Sequence, residues 1–303
     1  FGTKAGVGGA NAIALGNTAK ATQDNSIAQG TESATYGKNS VSIGYKAISG
    51  LTAPTATQTN AFSVSIGNET EALDASTIAI GDKAKAKGGV DALAVGTQAN
   101  AMTYKALAIG AYSQATGRQS TVIGNDIQGQ PSIASGTRSQ IIGVQSNVSG
   151  DNSVSIGDTN TIASARTYAI GNNINVAAGA DDSLVFGTQA NVGAVHSIAM
   201  GTTAAATGIG SIALGKSASA TEQRAIAMGE NALAGNEASM ALGYNSSAKG
   251  SKQVSIGLGA GALKNATDAG AELATFVGHY AGADNASPTG NAQGVAVGVN
   301  AGR

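Results

Sequence analysis

Short segments in which large apolar residues alternate with small ones recur along the whole chain, and each segment closes on a glycine. Residues 211–215 read SIALG, and close variants stand at 12–16 (AIALG), 40–44 (SVSIG) and 153–157 (SVSIG). An alternation with a period of two is typical of a β-strand whose two faces meet different surroundings. The closing glycine is expected to end the strand, where it can adopt a positive φ without a steric penalty.

The closing glycines are regularly spaced, and this spacing indicates a repeat architecture. Counted from Gly2 to Gly298 there are 19 intervals, of which 13 are 14 residues long. The structural turn glycines that this spacing predicts are Gly16, Gly30, Gly44, Gly67, Gly81, Gly110, Gly157, Gly201, Gly215, Gly229, Gly243 and Gly257.

A second short strand is predicted after each closing glycine. Small residues stand three and five positions later, as at Ala204 and Ala206, and a second turn follows. Strands this short need neighbours, so each should pair with its equivalent one repeat away. The pattern therefore predicts an all-β fold, a flattened parallel solenoid of 14-residue coils with two sheets back to back. A coiled coil is rejected, because the apolar positions are two apart and a glycine interrupts every repeat.

The two faces of the first strand have different compositions. The residue before the glycine is apolar in 18 of 19 copies, with Gln29 the exception, and the position before that is Ala or Ser in 15 of 19. Small uncharged residues permit close approach, so this face suggests a second buried contact and self-association. The pattern leaves open which face meets the neighbour. If the position of Gln29 faces a shared axis, three Gln29 amides could meet there; otherwise it is a local irregularity.

Composition excludes several functions. The net charge is −1 and there is no cysteine, so neither nucleic-acid binding nor thiolate chemistry is expected. No apolar run reaches the roughly 18 residues of a spanning helix, so no membrane contact by this fragment is expected. The histidines, His196 and His279, lie many coils apart, and no catalytic constellation is evident. We expect no enzyme activity, metal or cofactor. The aspartates are explained by the preference of this residue for turns, and they are Asp24, Asp82, Asp126, Asp151, Asp181 and Asp182.

The repeat resembles the YadA-like head repeats of trimeric autotransporter adhesins, the type Vc secretion family. The resemblance covers residues 1–257 and rests on Ser-Val/Ile-Ala/Ser-Ile/Leu-Gly followed by x-x-Ala-x-Ala. It implies a left-handed parallel β-roll assembled as a homotrimer on the surface of a Gram-negative bacterium. The expected function is attachment to extracellular matrix, cells or abiotic surfaces, together with autoagglutination. The family's stalk and outer-membrane anchor are not recognised in this chain, which resembles a head.

Two segments depart from the regular repeat. Residues 258–303 have longer spacings with G-x-x-A-G endings and are predicted to be a cap or a transition to a following module. Nine extra residues lie between Gly44 and Gly67, and they are either a tolerated surface insertion or an adhesive loop. The candidate residues of that loop are Thr52, Thr55, Thr57, Gln58, Thr59 and Asn60.

Charged residues gather between the apolar segments, as at Lys83, Lys85 and Glu230, and this return path should face solvent. Its polar residues are the expected adhesive surface. The alternative is a phage-type tail fibre or receptor-binding trimer, which the final segment favours. An acyltransferase solenoid would need a six-residue period, and an ice-binding protein would need a persistent threonine column.

Overall fold

The computed structural model describes residues 2–50, 62–125, 129–261, 273–283 and 294–302, which form short β-strands joined by tight turns. No helix occurs in these ranges. The chain divides into two compact units, Phe1–Ser155 and Ile156–Arg303. An all-β parallel solenoid with coils of about 14 residues is thereby confirmed.

Each complete coil begins with a three-residue strand that ends at the closing glycine. In the first unit these strands are β2 Ile13–Leu15, β4 Ile27–Gln29, β6 Val41–Ile43, β8 Val64–Ile66, β10 Ile78–Ile80, β12 Leu93–Val95, β14 Leu107–Ile109, β16 Thr121–Ile123 and β18 Gln140–Ile142. Strand β20 is Val154–Ile156. In the second unit they are β22 Tyr168–Ile170, β24 Leu184–Phe186, β26 Ile198–Met200, β28 Ile212–Leu214, β30 Ile226–Met228, β32 Met240–Leu242, β34 Val254–Ile256, β35 Thr275–Val277 and β36 Val295–Val297.

A two-residue strand follows the turn in most coils. In the first unit these second strands are β1 Gly6–Val7, β3 Lys20–Ala21, β5 Ala34–Thr35, β7 Ile48–Ser49, β9 Glu71–Ala72, β11 Lys85–Ala86, β13 Asn100–Ala101, β15 Gln114–Ala115, β17 Ile133–Ala134 and β19 Asn147–Val148. In the second unit they are β21 Thr161–Ile162, β23 Asn175–Val176, β25 Asn191–Val192, β27 Ala205–Ala206, β29 Ser219–Ala220, β31 Leu233–Ala234 and β33 Ser247–Ala248.

Parallel pairing between equivalent strands stacks the coils. In β28 and β30, Ala213 is in register with Ala227. The Ile212 N–H donates to the Ala225 carbonyl at 2.9 Å, and the Gly229 N–H donates back to the Leu214 carbonyl at 2.8 Å. Each coil therefore satisfies the backbone groups of the next, which a strand of two or three residues cannot do alone.

The core of each coil is a thin layer of small side chains. Ala14 and Ala28 of the first strands meet Ala19 and Ala21 of the return path in one buried cluster. The small face is thus the inside of the chain, and the large residues point outward. Our inference that the small residues mark a contact between chains is wrong. Most coils fill this layer with Ala, Ser and Thr, and the largest side chains fully buried in it are Ile141, Ile162 and Ile174.

Serine and threonine are accommodated in this layer by hydrogen bonds inside the coil. Ser42 Oγ lies 2.8 Å from Ser49 Oγ across the layer and donates to the Ala34 carbonyl at 2.9 Å. Ser65 Oγ donates to Thr70 Oγ1 at 2.7 Å. Buried hydroxyls are tolerated because each of these finds a partner.

The closing glycines are required by both conformation and space. The predicted turn glycines have φ between 118° and 138°. A Cβ placed on Gly215 would lie 2.6 Å from the Gly229 carbonyl oxygen, and the same contact recurs along the row. Any side chain here would separate two coils.

The described chain beyond Gly257 still forms the first strand of each coil, but more residues separate one first strand from the next. Strand β35 pairs in parallel with β34, and β36 pairs with β35. Phe276 fills the position that Ala or Ser holds elsewhere and packs with Ala274, Ala281 and Ala296. The proposed boundary between 1–257 and 258–303 remains a prediction.

Candidate assembly face and adhesive surface

The outward side of the first strands is apolar and only partly covered by the chain itself. We call these outward residues the apolar face. Ile13 is 55% exposed and Leu15 is 42% exposed, whereas Ala14 between them is buried. In the first unit the other most exposed members are Ile66, Ile80, Ile123 and Ile142. In the second unit they are Ile156, Tyr168, Ile170, Met200, Met228, Ile256, Val295 and Val297.

Such an arrangement is unusual for a surface that remains in water. Monomeric soluble proteins rarely expose contiguous apolar patches beyond roughly a few hundred Å². Here, large residues recur on every coil of each unit, at about 4.8 Å per coil. The apolar face is therefore the candidate assembly face.

Gln29 interrupts the apolar face. It is exposed, and strand pairing places it between Leu15 and Ile43 in the same row. Gln140 is a second polar residue on this face. The position of Gln29 is thus one that a neighbouring copy would cover, and whether three amides meet there remains a prediction.

The opposite side of the coils is polar and carries ladders of opposite charges. In the first unit Lys83 Nζ lies 4.0 Å from Glu69 Oε2, and Lys85 Nζ lies 3.8 Å from Glu71 Oε1. Each pair joins neighbouring coils and is partly exposed. Pairs of this kind contribute at most about 1 kcal/mol each.

A groove of about 620 Å³ runs over this charged surface in the first unit. Its charged end holds Lys46, Glu69, Glu71, Lys83 and Lys85. Its neutral end holds Gln98, Asn100, Tyr112 and Gln114, and Ile48 also lines it. The return path thus presents polar, solvent-facing side chains, as the sequence predicts.

The candidate adhesive loop lies outside the described residues. Thr52, Thr55, Thr57, Gln58, Thr59 and Asn60 belong to residues 51–61, which the structure does not describe. The described chain stops at Gly50, after β7, and resumes at Phe62, which is 63% exposed. The adhesive role of the loop remains a prediction.

Each coil turns at two corners where a residue other than glycine adopts a positive φ, and the sequence pattern did not predict these positions. One lies two positions after the closing glycine, as at Ser217 (φ 55°), and the other lies five positions before it, as at Arg224 (φ 59°). Asn, Lys, Glu, Thr and His also occupy these corners, so the corners have no side-chain type in common. The only sequence signal is their fixed distance from the glycine, and these corners place variable side chains on the surface.

Aspartates at the corners bind the backbone of neighbouring coils. Asp24 Oδ1 accepts the Ala10 N–H at 3.0 Å, and Asp151 Oδ1 accepts the Thr137 N–H at 2.7 Å. The hydrogen bond from the Ala10 N–H is the main cause of a lowered pKa of Asp24, and the positive charge of Lys38 is the second cause. These contacts agree with turn chemistry. Asp126 lies outside the described residues.

The histidines are found in separate local settings. His196 Nε2 lies 3.9 Å from Asp182 Oδ2, whereas the His279 ring lies 4.4 Å from that of Tyr280. Asp182 Oδ2 also accepts a 2.8 Å hydrogen bond from Arg166 Nη2, and this contact is the main reason that the pKa of Asp182 is lowered. Within the described ranges no cluster of three or more His, Asp or Glu side chains could hold a metal ion.

The chain matches the family model described as the YadA head domain repeat. The matched residues are 8–33, 24–47, 59–84, 104–126, 142–160, 178–204, 206–232 and 234–260. Together they cover more than half of the chain. None of the curated proteins compared with the chain matches it. The described residues include no helix long and apolar enough to cross a membrane. With its period, its turn glycines and its repeated match, this chain belongs to the YadA head repeat family, whose members are adhesins.

Proposed function

We propose that this chain is the head of a homotrimeric adhesin on the surface of a Gram-negative bacterium. In this proposal the roll is left-handed, and parts of the protein outside this chain anchor it to the outer membrane. The head attaches the cell to extracellular matrix, to other cells or to abiotic surfaces. The observation that supports it most is the apolar face, which leaves large side chains in water on every coil of an isolated chain.

Assembly through this face would leave the charged groove and the corners available to ligands. Three copies per fibre and many fibres per cell would convert weak single contacts into firm attachment. A binding function without catalysis suits a surface built from exposed polar side chains.

Attachment is tested by measuring binding of the purified head to immobilised collagens, fibronectin, laminin and plastic. The matched variant lacks residues 51–60 and keeps every described coil. We expect binding to at least one surface and a loss of that binding on deletion. Unchanged binding after deletion would move the adhesive site from the loop to the groove or corners, and no binding to any surface would refute the attachment proposal.

Autoagglutination is supported by the order of charges in the groove. Glu69 and Glu71 lie on one coil, and Lys83 and Lys85 occupy the equivalent places on the next. A second head facing this surface in the antiparallel direction would place its lysines against these glutamates and its glutamates against these lysines. Each contact is weak in water, but contacts repeated among the many heads of two cells would add their contributions.

Charge reversal tests this contact. The double variant Lys83→Glu/Lys85→Glu should stop cells from agglutinating, because like charges would then face each other. Adding Glu69→Lys/Glu71→Lys restores the complementary order and should restore agglutination. Agglutination that survives the first change would refute this surface.

A tail-fibre or receptor-binding trimer remains the second candidate. The observation in its favour is the last segment, where Gly261, Gly282 and Gly302 each follow the closing glycine by four residues and have φ between 63° and 68°. We propose residues 1–257 as the head repeats and 258–303 as a cap or transition. A truncated chain ending at residue 257 should bind the same surfaces if the head carries adhesion.

A further inference from the structure

Three cations that have no carboxylate partner among the described residues lie at one corner of successive coils in the first unit. Lys105, Arg118 and Arg138 all occupy the turn before a first strand, and all three are exposed. The coils are joined at this corner, because the Gln119 N–H donates to the Tyr104 carbonyl at 2.9 Å and the Arg138 N–H donates to the Arg118 carbonyl at 2.8 Å. We call Tyr104, Lys105, Arg118 and Arg138 the cationic corner.

A tyrosine holds two of these cations in place. Lys105 Nζ and the Arg118 guanidinium carbon each lie 5.1 Å from the centre of the half-buried Tyr104 ring. The negative face of an aromatic ring attracts cations, and this attraction biases the position of a long, charged side chain. Two positive groups thus share the face of one ring.

The lack of an acid partner contrasts with other coils. Lys46, Lys83 and Lys216 each lie within 4.0 Å of a glutamate on a neighbouring coil. For Lys105, Arg118 and Arg138, no described carboxylate lies within that distance. Arg138 Nε donates instead to the neutral Asn152 Oδ1 at 2.7 Å.

The cationic corner has a limited extent. Asp91 precedes Lys105 by one coil, and Asp151 follows Arg138 by one coil, with its carboxylate bonded to the Thr137 N–H. At about 4.8 Å per coil, the three cations span only about 10 Å. A ligand for this site therefore needs closely spaced anionic groups on a narrow strand.

We propose that the cationic corner binds a sulfated glycosaminoglycan strand. Arginine presents a planar fork of donors to oxyanions, and lysine adds a compact charge beside it. Duplex DNA suits this corner less well, because proteins that bind it commonly neutralise about 6–10 phosphates over a wide surface. The inference goes beyond attachment in general by naming a ligand class and its residues. It rests on contacts within one chain and does not depend on the inserted loop.

The test uses the purified, assembled head and heparin as the probe. Removing three cations in Lys105→Gln/Arg118→Gln/Arg138→Gln should weaken heparin binding about tenfold or more and should flatten its dependence on salt. The matched control is Lys20→Gln/Lys249→Gln/Lys252→Gln. It makes the same change in net charge at lysines that have no ion pair among the described residues and do not lie on three successive coils. The control should bind heparin like the parent.

Two further arms separate the alternatives. Desulfated heparin should bind the parent weakly, and duplex DNA should bind less tightly than heparin at the same salt concentration. Equal binding of DNA would overturn the choice of a glycan. The mass and melting temperature of the triple variant should match those of the parent. If the triple variant loses its assembled mass, the corner pairs with a second copy of the chain and the proposal is wrong; undiminished heparin binding would also overturn it. Deletion of residues 51–60 should leave heparin binding intact, even if it removes attachment to matrix proteins.

Discussion

Gln29 and Ile43 lie side by side on neighbouring parallel strands, in register, and both point away from the core of their own chain. This pairing places an amide in a row of large apolar side chains. If another copy covers the row, replacing the amide with a branched hydrocarbon should improve the contact.

We expect Gln29→Ile to leave the melting temperature unchanged or to raise it, with a gain of about 1–2 kcal/mol per chain from the added apolar burial. The reverse change, Ile43→Gln, should lower the melting temperature. Thermal unfolding followed by circular dichroism measures both. A large loss in Gln29→Ile would show that the amide makes a needed contact, as three amides around an axis could.

Gly215 tests the stacking of the coils. Its φ is 128°, and an added Cβ would lie 2.6 Å from the Gly229 carbonyl oxygen. We expect Gly215→Ala to destabilise the fold by about 3 kcal/mol or more, because strain and overpacking act together. Chemical denaturation of the purified protein measures this loss.

The matched control is Gly210→Ala in the same coil. Gly210 has φ 64°, with nothing within 4 Å of an added Cβ. His196 and Arg224 occupy the same corner in the adjacent coils at φ 59°. The free energy of unfolding of the control should therefore be close to that of the parent. An equal loss of stability in both variants would contradict the role of Gly215 in stacking.

Ser211 and Ser197 occupy the same position in neighbouring coils, and both are fully buried. Ser197 Oγ donates to the Gly208 carbonyl at 2.8 Å, whereas Ser211 Oγ has no hydrogen-bond partner in the part of the chain that the structure describes. We expect Ser211→Ala to stabilise the protein by about 1 kcal/mol and Ser197→Ala to destabilise it by about the same amount. Paired denaturation curves measure the difference, and identical effects would argue against the assigned hydrogen bonds.

The contact between Arg166 and Asp182 predicts a dependence on pH. The hydrogen bond from Arg166 lowers the folded-state pKa of Asp182 below the ordinary value of 3.8. A lowered pKa gives a stabilising contribution that is present above the ordinary pKa and is lost as the pH falls through the folded-state pKa. Asp182→Asn should therefore have a slightly lower melting temperature than the parent at neutral pH. This difference in melting temperature should disappear in acid, below the ordinary pKa. The pair is exposed, so the effect should also shrink with salt. A difference in melting temperature that persists in acid would point to a cause other than charge.

Much of the fold could be predicted from spacing, because a glycine every 14 residues and a period of two admit few structures. The direction of the faces could not be predicted. Residues such as Ala213 suit either a close contact between chains or a thin internal layer, and only the burial of Ala213 inside its own folded chain decides between them. The outward position of Ile212 then follows, because successive side chains of a strand point to opposite faces.

The surface was harder to predict. The corner residues Arg224 and His196 share a backbone conformation but no side-chain type, so no motif marks them. The pairing of Lys83 with Glu69 depends on which residues become neighbours after one coil, and this requires the register to be known. The candidate loop around Thr55 was visible only as an interruption of the period.

The central claim is that the apolar face is covered by other copies of this chain. The most direct measurement is the mass in solution by light scattering. We expect a mass three times the chain mass of 29.3 kDa. A mass of one chain, with the apolar face left in water, would contradict it.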